Sequence, residues 1–275
     1  MKIISLASGS RGNCTLVLTT KYNLLIDVGL SMKKINELLL MSEGIDLNDI
    51  DFILISHLHF DHIQSFNTIF NKYPHIKFVM DNTLKNEVDE HFEKVYDISR
   101  FVILKDDLKG NNLTIREFVV SHDRYALSYV IEDVVSGESL VFICDNGMYP
   151  YKLKDIECLK TPHTYYMVES NYDKFSQYID ETRNELLKRR VLSTNGHSDN
   201  FNAIEKVITM LEMSLQEGKQ HKCKGVMFHH LSEHCNNEDL ASASHTSYIS
   251  TWGKKRLTKN IKFTYARQND IVRLN

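Results

Sequence analysis

Cysteine is scarce and scattered. Cys14, Cys144, Cys158, Cys223 and Cys235 are the only five in 275 residues, and no two form a CxxC pair. An odd, dispersed set argues against a disulfide framework and for a reducing compartment. Three of them lie in or beside apolar runs and read as small core residues. Proline is rarer still: Pro74, Pro150 and Pro162 are all there is, and none marks a linker. Repeats and low-complexity tracts are absent, so one domain over residues 1–275 is expected. No stretch approaches the roughly 20 apolar residues of a membrane span. The opening MKIISLASGS has too short an apolar run for a signal peptide. A cytoplasmic protein with no membrane attachment is the expectation. Strong charge of one sign is also missing. A formal net charge of -3 offers no bulk attraction to a polyanion, so any such contact must come from local clusters.

What is present is a chain rich enough in apolar residues, at 42%, to bury a sizeable core. Its pattern alternates strand and helix. Short apolar runs at 2–6, 14–19 and 22–27 predict strands, split by the turn signal Gly9-Ser10-Arg11-Gly12-Asn13. Helical spacing follows over 32–40, then a buried-strand run at 51–56 that ends directly on His57. A helix is predicted over 61–73, a strand at 77–80 and a helix at 84–93. Strands are predicted at 101–104, 112–120, 127–132, 139–144, 165–169 and 225–229. Helices are predicted over 174–190, 200–216 and 236–251, with a final strand pair in 261–273. An α/β protein follows. Two sheets with helices on both outer faces fit this order, and so does a doubly wound parallel sheet; the pattern alone does not separate them.

The sharpest chemical feature is Ser56-His57-Leu58-His59-Phe60-Asp61-His62. Three imidazoles and a carboxylate lie within six residues, where an apolar strand stops. In an extended segment His57 and His59 point the same way. Asp61 and His62 fall at the start of the next helix and point elsewhere, so one loop can serve two adjacent metal positions. This donor set suits zinc, manganese or iron(II). The bland alternative is a histidine-rich surface loop. With 13 histidines in 275 residues, such a cluster at a strand end is improbable by chance.

HxHxDH after a hydrophobic strand resembles the signature of the metallo-β-lactamase superfamily, and further resemblances follow in order. Leu25-Ile26-Asp27-Val28-Gly29 resembles the strand-Asp-x-Gly element before the signature. His122 follows a strand where the family places a third histidine. Phe142-Ile143-Cys144-Asp145-Asn146-Gly147 resembles the strand ending in a bridging Asp, and Phe228-His229-His230-Leu231-Ser232 resembles the segment of the last histidine ligand. The resemblance implies a four-layer αββα sandwich and two divalent cations, zinc or manganese. It implies that His57, His59 and His122 hold one cation, that Asp61, His62 and His230 hold the other, and that Asp145 bridges them. His229 is the alternative to His230; the His-Leu-Ser context favours His230. Taken alone, His122 or Asp145 would be an isolated polar residue as readily as a ligand.

A narrower resemblance is to the YycJ (WalJ) branch. Ser8-Gly9-Ser10-Arg11-Gly12-Asn13-Cys14 is similar to its SGSxGNC start, and Glu169-Ser170-Asn171-Tyr172-Asp173 to its ESNYD element. Asn195-Gly196-His197-Ser198 is similar to its Gly-His motif. Two departures stand out: residues 123–129 lack the expected Pro and Gly, and Ser198-Asp199-Asn200 replaces a Leu-Ser-Asn run. Glu169 and His197 also resemble the Glu and His outside the metal shell of RNase Z, which implies proton transfer to a leaving oxygen. A purely structural hydrogen bond is the competing role for Glu169. Gly196 favours function for His197, because it permits close backbone approach.

The expected activity is phosphodiester hydrolysis by a metal-activated water, with Asp61, His197 and Glu169 as the catalytic side chains. The branch resemblance implies a 5′-to-3′ DNA exonuclease; the alternative is a small-molecule phosphodiesterase on cyclic nucleotides or cyclic phosphates, in which Tyr125 would stack on a base. A scaffold that kept the fold but lost catalysis is disfavoured by the full donor set. The partner expected is DNA or a nucleotide phosphodiester, with a homodimer left open. Basic clusters at Lys188-Arg189-Arg190, Lys219 to Lys224 and Lys254-Lys255-Arg256, near Tyr165, Tyr166, Tyr172 and Trp252, are candidates for phosphate and base contacts, set against solvated helix ends. Residues 148–164 carry no readable chemistry.

Overall fold

In the computed structural model, which describes residues 1–104, 107–216 and 220–275, fourteen strands form two seven-stranded mixed sheets. The first sheet is built from β1 (Lys2–Ala7), β2 (Cys14–Leu18), β3 (Asn23–Ile26), β4 (Phe52–Leu54), β5 (Lys77–Asp81), β6 (Phe101–Leu104) and β14 (Val272–Arg273). Their order across the sheet is β14-β1-β2-β3-β4-β5-β6. The second holds β7 (Asp107–Lys109), β8 (Leu113–Val120), β9 (Ala126–Asp133), β10 (Glu138–Ile143), β11 (Tyr165–Glu169), β12 (Gly225–His229) and β13 (Lys262–Tyr265). They run β13-β12-β11-β10-β9-β8-β7.

The apolar runs become strands because both of their faces are covered. Ile53, Leu54, Phe78 and Val79 in the first sheet and Val141, Ile143, Tyr166 and Val168 in the second are fully buried. The inner faces share one hydrophobic cluster. They touch directly where the Tyr129 hydroxyl donates to the Ile55 carbonyl (2.5 Å). Helices α1 (Met32–Glu43) and α4 (Asn82–His91) pack on the first sheet. On the second, α7 (Asn200–Gln216) packs on β11, and α8 (Glu238–Thr251) lies against α7. This is the α/β sandwich, not the doubly wound single sheet that the pattern also allowed. Among the described residues no helix is long and apolar enough to cross a membrane, and all five cysteines are free thiols.

Two predicted helices are interrupted, each by polar competition for the backbone. The 61–73 segment is α2 (Phe60–Ile63) and α3 (Phe66–Lys72). Ser65 leaves the helical path because its N–H donates to the Val28 carbonyl and its hydroxyl to the Leu30 carbonyl. The 174–190 segment is α5 (Lys174–Ile179) and α6 (Glu185–Leu192). Between them the Asp180 carboxylate accepts from the N–H and hydroxyl of Thr182, and Asn184 caps the second helix.

Candidate metal centre

Strand direction gathers the site. Strands β1, β3 and β4 run the same way in the first sheet, as do β8, β10, β11 and β12 in the second. Their C-terminal ends deliver, in order, Ser8, Asp27, the 56–62 loop, His122, Asp145, Glu169 and His230 to one edge of the sandwich. This is where open α/β sheets present ligand-binding groups.

The three rings expected to share a cation converge. His57 Nε2 lies 3.0 Å from His59 Nδ1, and His122 Nε2 lies 3.3 Å from the same atom. A second donor set adjoins it. His230 Nε2 is 3.4 Å from Asp61 Oδ2, which is 3.5 Å from His62 Nε2. Asp145 Oδ2 lies 3.4 Å from His62 Nε2 and 3.2 Å from His230 Nε2, and Asp145 also groups with His57 and His62. All seven residues expected as ligands are thus brought together. His229 is not among them: it ends β12 with its ring turned back into the sheet, stacked on Phe142, its Nε2 2.8 Å from the Ile143 carbonyl. His230, one residue on, turns the other way with a φ of 56°, and Asp27 has a φ of 61°. Both are in the left-handed region that disfavours non-glycine residues, a strain that recurs where side chains must be aimed.

The two donor sets differ electrically. Burial pushes His57 well below the ordinary imidazole range, helped by the His62 charge. Burial likewise lowers His122 and takes His59 down to about 4. Those three rings present neutral lone pairs. On the other side burial opposes the charged rings, but Asp145 and its neighbouring carboxylates overcome it. His62 is held well above its usual value and His230 at about 9. The surplus of carboxylate there is a field that attracts cations. Asp145 Oδ1 is buried and finds no hydrogen-bond partner among the described residues. A buried carboxylate oxygen left bare, beside converging imidazole nitrogens, is a donor set that fits a divalent cation.

Further residues fix these donors. Asp27 Oδ2 lies 2.7 Å from His62 Nδ1 and accepts the Ser56 hydroxyl (2.8 Å), while Oδ1 accepts the Ser56 N–H (2.8 Å). Ser56 Oγ in turn lies 3.0 Å from His57 Nδ1. One carboxylate therefore aims two rings, one directly and one through a serine. His122 Nδ1 is 2.9 Å from the Gly196 carbonyl. A Cβ on Gly196 would collide with the Arg190 and Val191 carbonyls, so glycine lets that loop reach His122. A Cβ on Gly29 would strike the backbone of Asp61, which explains the glycine before the histidine loop. Asn13 was not among the candidates. Its Nδ2 lies 3.2 Å from Asp61 Oδ2 and 3.1 Å from His62 Nε2, and Ser8 Oγ accepts the His230 N–H (2.7 Å). The SGSxGNC segment is thus a brace on the second donor set. Its only sequence signal was the motif itself.

Glu169 and His197 also meet at the site. Glu169 is fully buried; Oε2 accepts the N–H groups of Asn146 (2.9 Å) and Ser198 (3.1 Å), and Oε1 lies 2.5 Å from His197 Nδ1. Burial pushes this carboxyl up, but His197 and His230 together pull it the other way and the net shift is downward. Lys206, buried on α7, donates to Asn146 Oδ1 and Ser198 Oγ and so ties the loops carrying Asp145 and His197. At the mouth, Asp123 Oδ1 lies 3.2 Å from His59 Nε2, and its Oδ2 2.5 Å from Arg190 Nε. This ion pair occupies the stretch where Pro and Gly were missing.

The expected base and phosphate contacts need correction. Tyr165 and Tyr166 are buried within β11 and Tyr172 is buried beside it; only Trp252 is exposed. Lys219 lies outside the described residues. Lys224 and Lys262 meet at the opposite end of β12 from His229. Lys254 pairs with Glu212, twelve residues, or about 18 Å, along α7 from Asn200 at the site edge. Among the described residues of the three basic clusters, Arg190 of Lys188-Arg189-Arg190 is the one that reaches the centre. Tyr125 donates to Asp81 at 2.5 Å, so its hydroxyl is engaged.

Comparison with known proteins places these features in a family. Residues 7–171 match the family described as the Metallo-beta-lactamase superfamily. The chain is 28% identical to Exodeoxyribonuclease YycJ of Bacillus anthracis over 254 residues, covering 90% of this chain and 89% of that protein. It is 30% identical to Exodeoxyribonuclease WalJ of Streptococcus pneumoniae strain D39 over 246 residues, covering 86% and 83%. Among solved structures, the metallo-beta-lactamase fold protein YhfI from Bacillus subtilis superposes with a TM-score of 0.65 at 15% identity, covering 99% of this chain and 100% of that one. Short-form human tRNase Z superposes with a TM-score of 0.59 at 13% identity over 100% of both chains. At these identities the structural likenesses speak to the fold.

Proposed function

The chain belongs to the metallo-beta-lactamase superfamily, and we propose that it is a metal-dependent phosphodiester hydrolase, a 5′-to-3′ DNA exonuclease acting as a single domain. One observation carries this: two adjacent donor sets, one of imidazoles alone and one that adds carboxylates, meeting at Asp145 at the strand ends of both sheets. The names of the relatives, exodeoxyribonucleases along most of their length, support DNA over a cyclic nucleotide. In this reading His57, His59 and His122 would hold one divalent cation, Asp61, His62 and His230 would hold a second, and Asp145 would serve both. Zinc or manganese bound there supplies Lewis-acid charge and an acidified water.

The chain's own groups do the rest. Asp61, partly open to solvent beside the second donor set, orients the attacking water and accepts its proton. His197 has its Nδ1 held by Glu169, which leaves Nε2 to donate a proton to the leaving oxygen. Glu169 steadies the His197 imidazolium until that proton is given up and the ring returns to neutral, its other oxygen pinned by two backbone N–H groups. The Lys188-Arg189-Arg190 cluster receives the phosphates of the incoming strand. The test is product analysis with end-labelled single- and double-stranded DNA, RNA and cyclic nucleotides under Mn²⁺ and Zn²⁺. Release of mononucleotides from the 5′ end of DNA is expected. Turnover of cyclic nucleotides alone would reverse the assignment.

A further inference from the structure

We propose that the groove beside His122, walled by Ser121, Met148, Tyr149, Tyr151 and Lys152, is a stacking subsite for the terminal nucleobase of the substrate. The proposal rests on the nuclease reading and adds a place for one end of the strand. The groove encloses about 580 Å³, within the range of small-ligand sites. It starts at the edge of the centre. Ser121 adjoins His122, Met148 lies three residues beyond Asp145, and Thr194, also in its wall, lies three before His197. The three loops are stitched together: the Gly147 N–H donates to the Ser121 carbonyl (3.0 Å), and the Ser121 hydroxyl to Asn195 (2.6 Å). Each loop therefore turns a reactive side chain to the cation site and a wall residue to the groove.

The wall chemistry selects a base. Tyr149 and Tyr151 are 48% and 59% exposed, unusual for two neighbouring tyrosines, and their rings stack at 5.9 Å between centroids and 12° between planes. Lys152 Nζ sits 5.6 Å from the Tyr151 centroid. Aromatic faces with a lysine beside them suit a base and its phosphate. The platform is rigid: the short helix Pro150–Asp155 carries it, and Pro150 and Leu153 are buried beneath, so little entropy is lost on stacking. The next cavity along shares Val119 and Ile156 with this one and is larger, about 930 Å³. It is lined by six acidic and two basic side chains and repels phosphate. A strand continuing past Val119 and Ile156 would meet that acidic wall; a terminal nucleotide does not.

The measurement uses metal-loaded protein and short single-stranded DNA carrying 2-aminopurine at the 5′ end, at the 3′ end or internally, with phosphorothioate linkages to prevent cleavage. Stacking quenches 2-aminopurine. We expect quenching at one terminal position, lost in Tyr149→Ala and Tyr151→Ala and kept in Tyr149→Phe and Tyr151→Phe. With cleavable DNA, the ratio of kcat/KM for DNA to that for bis(p-nitrophenyl) phosphate should fall about tenfold in the alanine variants, as removal of one stacked base implies. Thermal unfolding checks that the variants fold. Quenching without nucleotide release from unmodified DNA would sink the nuclease reading and leave the subsite standing. Nucleotide release with no terminal quenching, or quenching that survives in both alanine variants, would overturn the subsite.

Discussion

Replacing Asp27 by asparagine isolates how the centre holds its cations. Asparagine accepts the left-handed backbone at this position, where φ is 61°, so the loop should keep its path. Its oxygen can still accept the Ser56 N–H, as Oδ1 does at 2.8 Å. Its nitrogen then stands where Oδ2 faces Ser56 Oγ (2.8 Å) and His62 Nδ1 (2.7 Å). The serine hydroxyl can rotate to accept. The ring cannot: either its Nδ1–H faces another donor, or the proton moves to Nε2 and blocks the lone pair aimed at the second cation. Losing a hydrogen bond to a charged group costs about 1.5–3 kcal/mol, which is roughly 10- to 100-fold in affinity and matches the usual effect of such supporting residues. Competition against a chromophoric chelator should show one of two cations weakened by that factor and the other much less affected. Thermal unfolding of chelator-treated protein separately reads the cost of the buried Ser56 and His62 contacts in the absence of cations. Two cations bound with unaltered affinity would refute the role given to Asp27.

Three further outcomes follow from the geometry. His197→Ala should slow DNA hydrolysis by about 100-fold or more, the scale of a missing general acid. It should slow bis(p-nitrophenyl) phosphate far less, because p-nitrophenolate leaves without a proton; equal losses on both substrates would contradict proton donation. Lys206 is fully buried, and burial lowers its pKa from 10.5 to about 8. Between those two pH values the unfolded chain binds a proton that the folded chain has released, so stability should rise with pH across that window, by at most about 3 kcal/mol. Burial raises the Cys14, Cys144 and Cys223 thiols, which pull stability the other way over the same range, so the readout is a difference: in urea unfolding from pH 8 to 10.5 the wild type should gain stability relative to Lys206→Met, and identical slopes would remove Lys206 as a source. Lys188→Ala with Arg189→Ala should lower the salt dependence of DNA binding by about one ion for each phosphate no longer neutralised, and Lys254→Ala with Lys255→Ala and Arg256→Ala should not. The reverse result would move the strand to the far end of the sheet.

Much of this was legible because the chemistry sits at strand ends. A hydrophobic run that stops on a histidine announces both the strand and the residue it presents. His122, Asp145 and His230 follow the same rule along the chain. Which of His229 and His230 faces the donor cluster is a matter of strand alternation: the last residue of β12 points into the sheet. What escaped the sequence is contact between distant segments. Asn13 meets His62 across 49 positions and Ser8 meets His230 across 222, and neither spacing leaves a periodic trace. The tyrosines failed as base contacts for the opposite reason. Tyr165 and Tyr166 are β-strand residues with neighbours on both sides, so the apolar run that predicted the strand also buried them. The breaks at Ser65 and Asp180 came from side chains and carbonyls that compete with the helix for its backbone hydrogen bonds.

The most direct test of the centre is an anomalous-scattering map of the zinc-loaded protein. Two peaks should appear, one bounded by His57, His59 and His122 and the other by Asp61, His62 and His230, with Asp145 in contact with both. A map with no zinc there, or with His122 or His230 outside the coordination of every peak, would contradict the account.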